Sequence, residues 1–162
     1  MVGCSSQSQM SEAEQLQNQA LYQQAEQALN DRSFVLEADR VVFRRGRTAF
    51  VSANTNFVSL DGDNATVQIA LNGPYSGPNG IGGITVEGIA SNITMNKSRK
   101  GNISFSMNVM GRGISAQVNI EVFRGSNSAT VTVNPNFNSN RVTLSGQLVP
   151  KEASSVFKAR SL

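Results

Sequence analysis

The sequence predicts a mainly β protein, an antiparallel meander closed or curled into a β-barrel, lipocalin-like in outline, with one N-terminal α-helix. Three observations predict it. From residue 34 onward, apolar residues fall at every second position, the period of a strand that buries one face. Glycine-bearing pairs punctuate these runs at Arg45-Gly46, Asp61-Gly62, Lys100-Gly101, Gly111-Arg112-Gly113 and Gly125-Ser126, and such pairs accept the positive φ of tight hairpin turns. The gaps leave no room for crossover helices, so neighbouring strands run antiparallel.

Residues 1–10 read as a flexible tether. Ser5 to Met10 have nothing to fold around and reach at most about 3.3–3.6 Å per residue. Ser11-Glu12-Ala13-Glu14 is a capping box, in which the Ser11 hydroxyl meets an early N–H and Glu14 reaches back. A helix is therefore expected over 11–30. "EAEQLQNQALYQQAEQALN" holds no Gly or Pro, and Leu16, Ala20, Ala28 and Leu29 give it a thin apolar stripe suited to packing on a larger body.

The antiparallel β domain is expected over 34–160. Candidate strands lie near 34–44, 47–53, 56–61, 64–71, 83–96, 102–110, 113–124, 127–134 and 141–148. In "GISAQVNIEVF", Ile114, Ala116, Val118, Ile120 and Val122 share one face, while Ser115, Gln117, Asn119 and Glu121 share the other. "NISFSMNVM" repeats the pattern through Ile103, Phe105, Met107 and Val109, and "NATVQIAL" through Ala65, Val67, Ile69 and Leu71. So many consecutive strands leave exposed edges unless the sheet closes or folds over. Uniformly short connections favour a barrel, and a two-sheet β-sandwich is the alternative. The one long irregular stretch, "NGPYSGPNGIGG" at 72–83, reads as a surface flap, with Tyr75 able to cover a pocket mouth. No Gly-Lys-Ser/Thr follows it, so it is no phosphate loop.

Composition excludes several chemistries. The 162 residues contain no His and no Trp, which removes the usual neutral-pH base and the commonest metal ligand. One Cys leaves no intrachain disulfide and no multi-cysteine metal site. A net charge of +3 over fourteen Lys/Arg and eleven Asp/Glu is too mild and mixed to predict nucleic-acid binding. "FRRGR" at 43–47 and "KSRK" at 97–100 sit beside glycines and read first as solvated hairpin tips. Asp61-Gly62-Asp63-Asn64 starts like a calcium loop, but Ala, Thr, Val and Gln fill the remaining ligand positions. No metal and no cofactor is expected.

Val2-Gly3-Cys4-Ser5-Ser6 resembles the end of a bacterial lipoprotein signal, in which small residues precede a cysteine that receives a diacylglyceryl group. The basic and apolar segments of such a signal are expected upstream of Met1, so the chain as given lacks the signal peptide. This makes Cys4 a candidate lipidation site and the membrane a partner through an N-terminal lipid anchor.

The blocks "NFVSLDGDNATVQIA", "GIGGITVEGIASNITMNKSRKGNISFSMNV", "ISAQVNIEVFRGSNSATVTVNPNF" and "VTLSGQLVPKEASSVFK" together resemble the bacterial domain of unknown function 4251 over about residues 34 to 160. The resemblance implies a cell-envelope protein of a Gram-negative bacterium, lipid-anchored and facing the periplasm. It supplies no activity, catalytic residue or ligand.

Three functions compete. The first is a non-catalytic binding module whose interior takes a hydrophobic small molecule, with Met95, Phe105, Met107, Val118 and Ile120 as candidate pocket residues. The second is a structural or protein-interaction module of the envelope, using its polar sheet face or its flap. The third is an enzyme, which without His would need carboxylates such as Glu87 and Glu121 as an acid and base pair. The expectation is the binding module, and not an enzyme.

Overall fold

The computed structural model describes residues 11–42, 48–51, 53, 56–71, 82–136 and 141–154. The tether with Cys4, Tyr75 with the flap up to residue 81, the basic run at 43–47 and the end of the β domain from residue 155 lie outside the described residues.

Helix α1 spans Glu12–Asn30. It starts where the capping box predicts, the Glu14 N–H donating to Ser11 Oγ at 3.1 Å. It stops where Arg32 takes a φ of 54°, a left-handed turn that swings the chain into the first strand. Its buried face is Tyr22, Ala25, Ala28 and Leu29, while Leu16 is 72% exposed. The expected stripe therefore holds only in the last two turns. The earlier turns reach past the body that the later ones pack on.

Among the described residues nine strands follow: β1 (Ser33–Val42), β2 (Thr48–Phe50), β3 (Phe57–Asp61), β4 (Asn64–Leu71), β5 (Gly82–Lys97), β6 (Ile103–Gly111), β7 (Ser115–Val122), β8 (Ser128–Pro135) and β9 (Val142–Pro150). Every pairing is antiparallel, and β3 to β9 pair in sequence order. β1 pairs with β3 along one edge and with β9 along the other. That second ladder closes an eight-stranded barrel and removes the edge problem. The sandwich alternative is not adopted. β2 stands outside the ring, beside Arg40–Val42 of β1.

The barrel is strongly sheared. One path across the ladders runs Phe34, Leu60, Ala65, Gly88 and Gly111, from the start of β1 to the last residue of β6. The other way, Val41 leads through Leu144, Val131, Ile120 and Phe105 to Met95 at the far end of β5. Joined, the two paths climb about a dozen residues per circuit, which tilts the strands steeply and lengthens the circumference that eight strands enclose.

Two glycines permit this coiling. A Cβ on Gly88 would lie 1.9 Å from the Met110 carbonyl oxygen, and one on Gly146 would lie 1.9 Å from that of Glu37. Only a residue without a side chain lets those backbones meet. Gly146 faces the bulge between Ala38 and Arg40, on the ladder that closes the ring.

α1 crosses one mouth of this barrel. The Tyr22 hydroxyl donates to the Gly101 carbonyl in the β5–β6 turn at 2.7 Å, and Gly62 N–H in the β3–β4 turn donates to Arg32 O at 2.8 Å. The β7–β8 turn and the end of β9 lie at the same end. The ends of β4 and β8 and the starts of β5 and β9 lie at the other. Among the described residues one large core runs through the barrel and includes the four buried helix residues. Outside it, Val35 and Phe57 form a small second cluster, with Val149 against them.

Candidate functional site

Strand alternation aims Phe105, Met107, Val118 and Ile120 into the barrel, all at most 2% exposed. Met95 is partly buried and packs against the same core. Register brings the five predicted pocket residues together: Met95, Phe105, Ile120 and Val131 form one cross-strand row, and Met107, Val118 and Val133 the next. They form a continuous patch of inner wall. Phe105 meets Phe34 of β1 edge to face, with ring centroids 5.4 Å apart, the arrangement that aromatic quadrupoles favour.

Side-chain size changes along the barrel axis. Nearest α1 the interior is filled by Leu29, Phe34, Leu60, Ile103, Phe105 and Leu148. Toward the other mouth smaller residues, Ala38, Val41, Ala90, Val109, Ala116 and Val133, stand among the larger Ile69 and Leu144. The helix end is thus a solid floor. The far half has an apolar wall that mixes Ala and Val with Ile69 and Leu144, in a ring widened by its shear. Among the described residues no buried side-chain nitrogen or oxygen lacks a hydrogen-bond partner.

Two concave surfaces lie outside the interior. One, of about 280 Å³, runs over the outer face of β5 to β8 and is lined by Thr94, Asn96, Ser104, Ser106, Asn119, Glu121, Thr130 and Thr132, with Phe105 and Ile120 beneath. Register sets these polar residues in two rows, Thr94–Ser106–Asn119–Thr132 and Asn96–Ser104–Glu121–Thr130, and the hydroxyls of Thr94 and Ser106 are 2.6 Å apart. The second, of about 460 Å³, lies between α1 and the β5–β6 and β7–β8 turns and is lined by Gln19, Tyr22, Lys97, Arg99, Lys100, Gly101, Arg124 and Gly125. In it Lys97 Nζ donates to Glu26 Oε2 at 2.7 Å and stands 5.7 Å from the Tyr22 ring centroid. The bond to the Glu26 carboxylate raises the Lys97 ammonium above its ordinary value, against a smaller opposing effect of desolvation.

The structure does not bring Glu87 and Glu121 into one cleft. Glu121 lines the polar groove and Glu87 does not; Glu87 faces Thr66 on β4, two strands away from β7. Among the described residues no group of three His, Cys, Asp or Glu is placed to hold a metal ion. No described helix is long and apolar enough to cross a membrane. Cys4 and Tyr75 lie outside the described residues. Sequence reading missed the basic groove as a unit. Lys97 to Lys100 stood out as one hairpin tip, but nothing in the sequence pairs that tip with Arg124 or with Tyr22.

Comparison with known proteins agrees with this geometry. The model of the family described as Domain of unknown function (DUF4251) matches residues 16–148. A solved structure of a DUF4251 family protein from Bacteroides eggerthii DSM 20697 is similar at 51% identity and a TM-score of 0.83, covering 91% of this chain and 99% of that one. No curated protein matches.

Proposed function

Since this chain belongs to the DUF4251 family, whose description carries no activity, we propose from its geometry that it is a non-catalytic binding module that holds a hydrophobic small molecule inside its barrel. The observation that carries this reading is the combination of high shear with an apolar far half in which Ala38, Ala90 and Ala116 stand above a floor of Phe34 and Phe105. Eight strands enclose just enough space either to be filled by side chains or to hold one small ligand, and small residues favour the second. Met107 and Val118 stand on the inner wall beside that floor. A molecule seated there loses its apolar surface to protein at roughly 25 cal/mol per Å², with no buried polar group to satisfy.

The test is titration with a naphthylamine fluorophore that brightens in apolar surroundings. The wild type binds it saturably, and Ala116→Phe, which fills the far half, weakens binding about tenfold or more while circular dichroism stays native. Leu16→Gln, on the exposed part of α1, leaves it unchanged. Unsaturable brightening, or equal binding by Ala116→Phe, contradicts the reading.

Cys4 places the module in this proposal on the envelope membrane as a lipoprotein that faces the periplasm, the small residues Val2-Gly3 before it and Ser5-Ser6 after it supporting acylation. Metabolic labelling with a palmitate analogue checks this, and Cys4→Ser abolishes the label. A protein-interaction role is the second reading, favoured by the two rows of Ser, Thr and Asn over the outer face of β5 to β8. Crosslinking from Asn119 in the native cell tests it, and the absence of a reproducible partner contradicts it.

A further inference from the structure

Three elements distant in sequence meet at the helix-crossed end of the barrel: α1, the β5–β6 turn and the β7–β8 turn. The groove they enclose, about 460 Å³, carries four cations, Lys97, Arg99, Lys100 and Arg124, and among the described residues no acidic one lines it. Lys97 is paired with Glu26. Arg99, Lys100 and Arg124 make no ion pair among the described residues.

The local structure holds these cations together. The Tyr22 hydroxyl ties the β5–β6 turn to α1 through Gly101 O, and the Arg124 N–H donates to Asn102 Oδ1 at 2.9 Å, tying the two turns to each other. Within the first turn the Asn102 N–H donates to Ser98 Oγ at 3.1 Å. Gly101, with a φ of 93°, leaves room for the Arg124 side chain, whose Cγ and Cδ lie 3.3 Å from where a Cβ on that glycine would stand. Three like charges carried on one concave surface repel one another, and the field they share concentrates anions in the groove. Guanidinium forks suit a tetrahedral oxyanion that offers several oxygens and two charges, where a lone carboxylate would be satisfied by one arginine.

We propose that this groove is a binding site for a phosphate-bearing anion, with Arg99, Lys100 and Arg124 as its ligands. Its volume leaves room for the group that carries the phosphate. Two sources share this chemistry, the headgroup of an anionic phospholipid and a soluble phosphorylated compound. The site is independent of any molecule held in the barrel, from which the floor of Leu29, Phe34 and Phe105 separates it.

The test uses the full chain at low salt with two probes: inorganic phosphate, followed through the backbone amide resonances of Gly101 and Gly125, and vesicles of phosphatidylglycerol against vesicles of phosphatidylcholine in co-sedimentation. The variant Arg99→Gln/Lys100→Gln/Arg124→Gln is compared with Arg40→Gln/Arg112→Gln/Arg141→Gln, which removes the same charge from exposed positions elsewhere. The expected result is saturable binding by the wild type, weakened roughly a hundredfold by the first variant, from about fivefold per cation near an anionic surface, and nearly unchanged in the second. A response to phosphate alone identifies a soluble ligand, and a response to phosphatidylglycerol alone identifies a headgroup surface. No binding of either probe, or equal losses in both variants, overturns the proposal, since equal losses report net charge and not a site.

Discussion

Replacing Gly146 by alanine tests the closure of the barrel. The new Cβ would sit 1.9 Å from the Glu37 carbonyl oxygen and 2.8 Å from the Ala38 Cα, so β1 and β9 must part by about 1 Å or more for even a tight contact. That movement falls on the ladder where Glu37 faces Gln147 and Ala38 faces Gly146. Two weakened ladder hydrogen bonds cost about 1–3 kcal/mol together, and the accompanying misfit in a packed wall adds about 1–3 kcal/mol. Alanine returns about 0.4–1 kcal/mol by restricting the unfolded chain. The net expectation is a loss of about 1–5 kcal/mol, read in urea unfolding as a lower midpoint at unchanged slope. Gly62→Ala is the control: its φ is 64° and nothing lies within 4 Å of the added Cβ, so it costs only about 1–2 kcal/mol of backbone strain. A Gly146→Ala protein within about 0.5 kcal/mol of wild type, inside the range of neutral surface changes, would refute the close approach of β1 and β9.

Other perturbations probe the elements around that seam. Phe105→Ala removes a buried ring from the floor and its edge-to-face partner Phe34, with an expected cost of about 3–5 kcal/mol by chemical denaturation. Tyr22→Phe leaves Gly101 O without its 2.7 Å donor and should cost about 0.5–1.5 kcal/mol, with faster amide exchange in the β5–β6 turn. The Lys97 ammonium is raised above 10.5 by Glu26. A cation with a raised folded value contributes fully below its unfolded value and loses that contribution as pH climbs through the folded one. Thermal melts of wild type and Glu26→Gln should therefore differ by a constant amount at neutral pH and converge only above pH 10.5. Convergence between pH 6 and 8 would assign the pair's contribution to another group.

Most of the fold is legible in residue order because burial on one face imposes period two. Ala116, Val118, Ile120 and Val122 declare their wall of the barrel directly, and the Lys100-Gly101 and Gly125-Ser126 pairs declare its turns. Ser11 with Glu14 likewise fixes the helix start. The helix face is less legible, because Leu16 and Tyr22 differ in burial through where the barrel rim happens to fall. Closure itself is a long-range event, the pairing of β1 with β9, and its local trace is the missing side chain of Gly146 opposite a bulge. Shear is invisible for the same reason, since it accumulates over ladders that no single strand records. The five pocket residues were accessible to alternation, whereas the basic groove depends on Tyr22, Arg99 and Arg124 meeting across three elements.

Native mass spectrometry of the protein purified without detergent from the cells that naturally make it bears most directly on the ligand proposed for the barrel. The account predicts a bound species that adds one small-molecule mass, leaves on collisional activation, extracts into organic solvent and is depleted in Ala116→Phe. A wild-type spectrum showing only the mass of the chain and its anchor, across gentle conditions that keep the barrel folded, would contradict it.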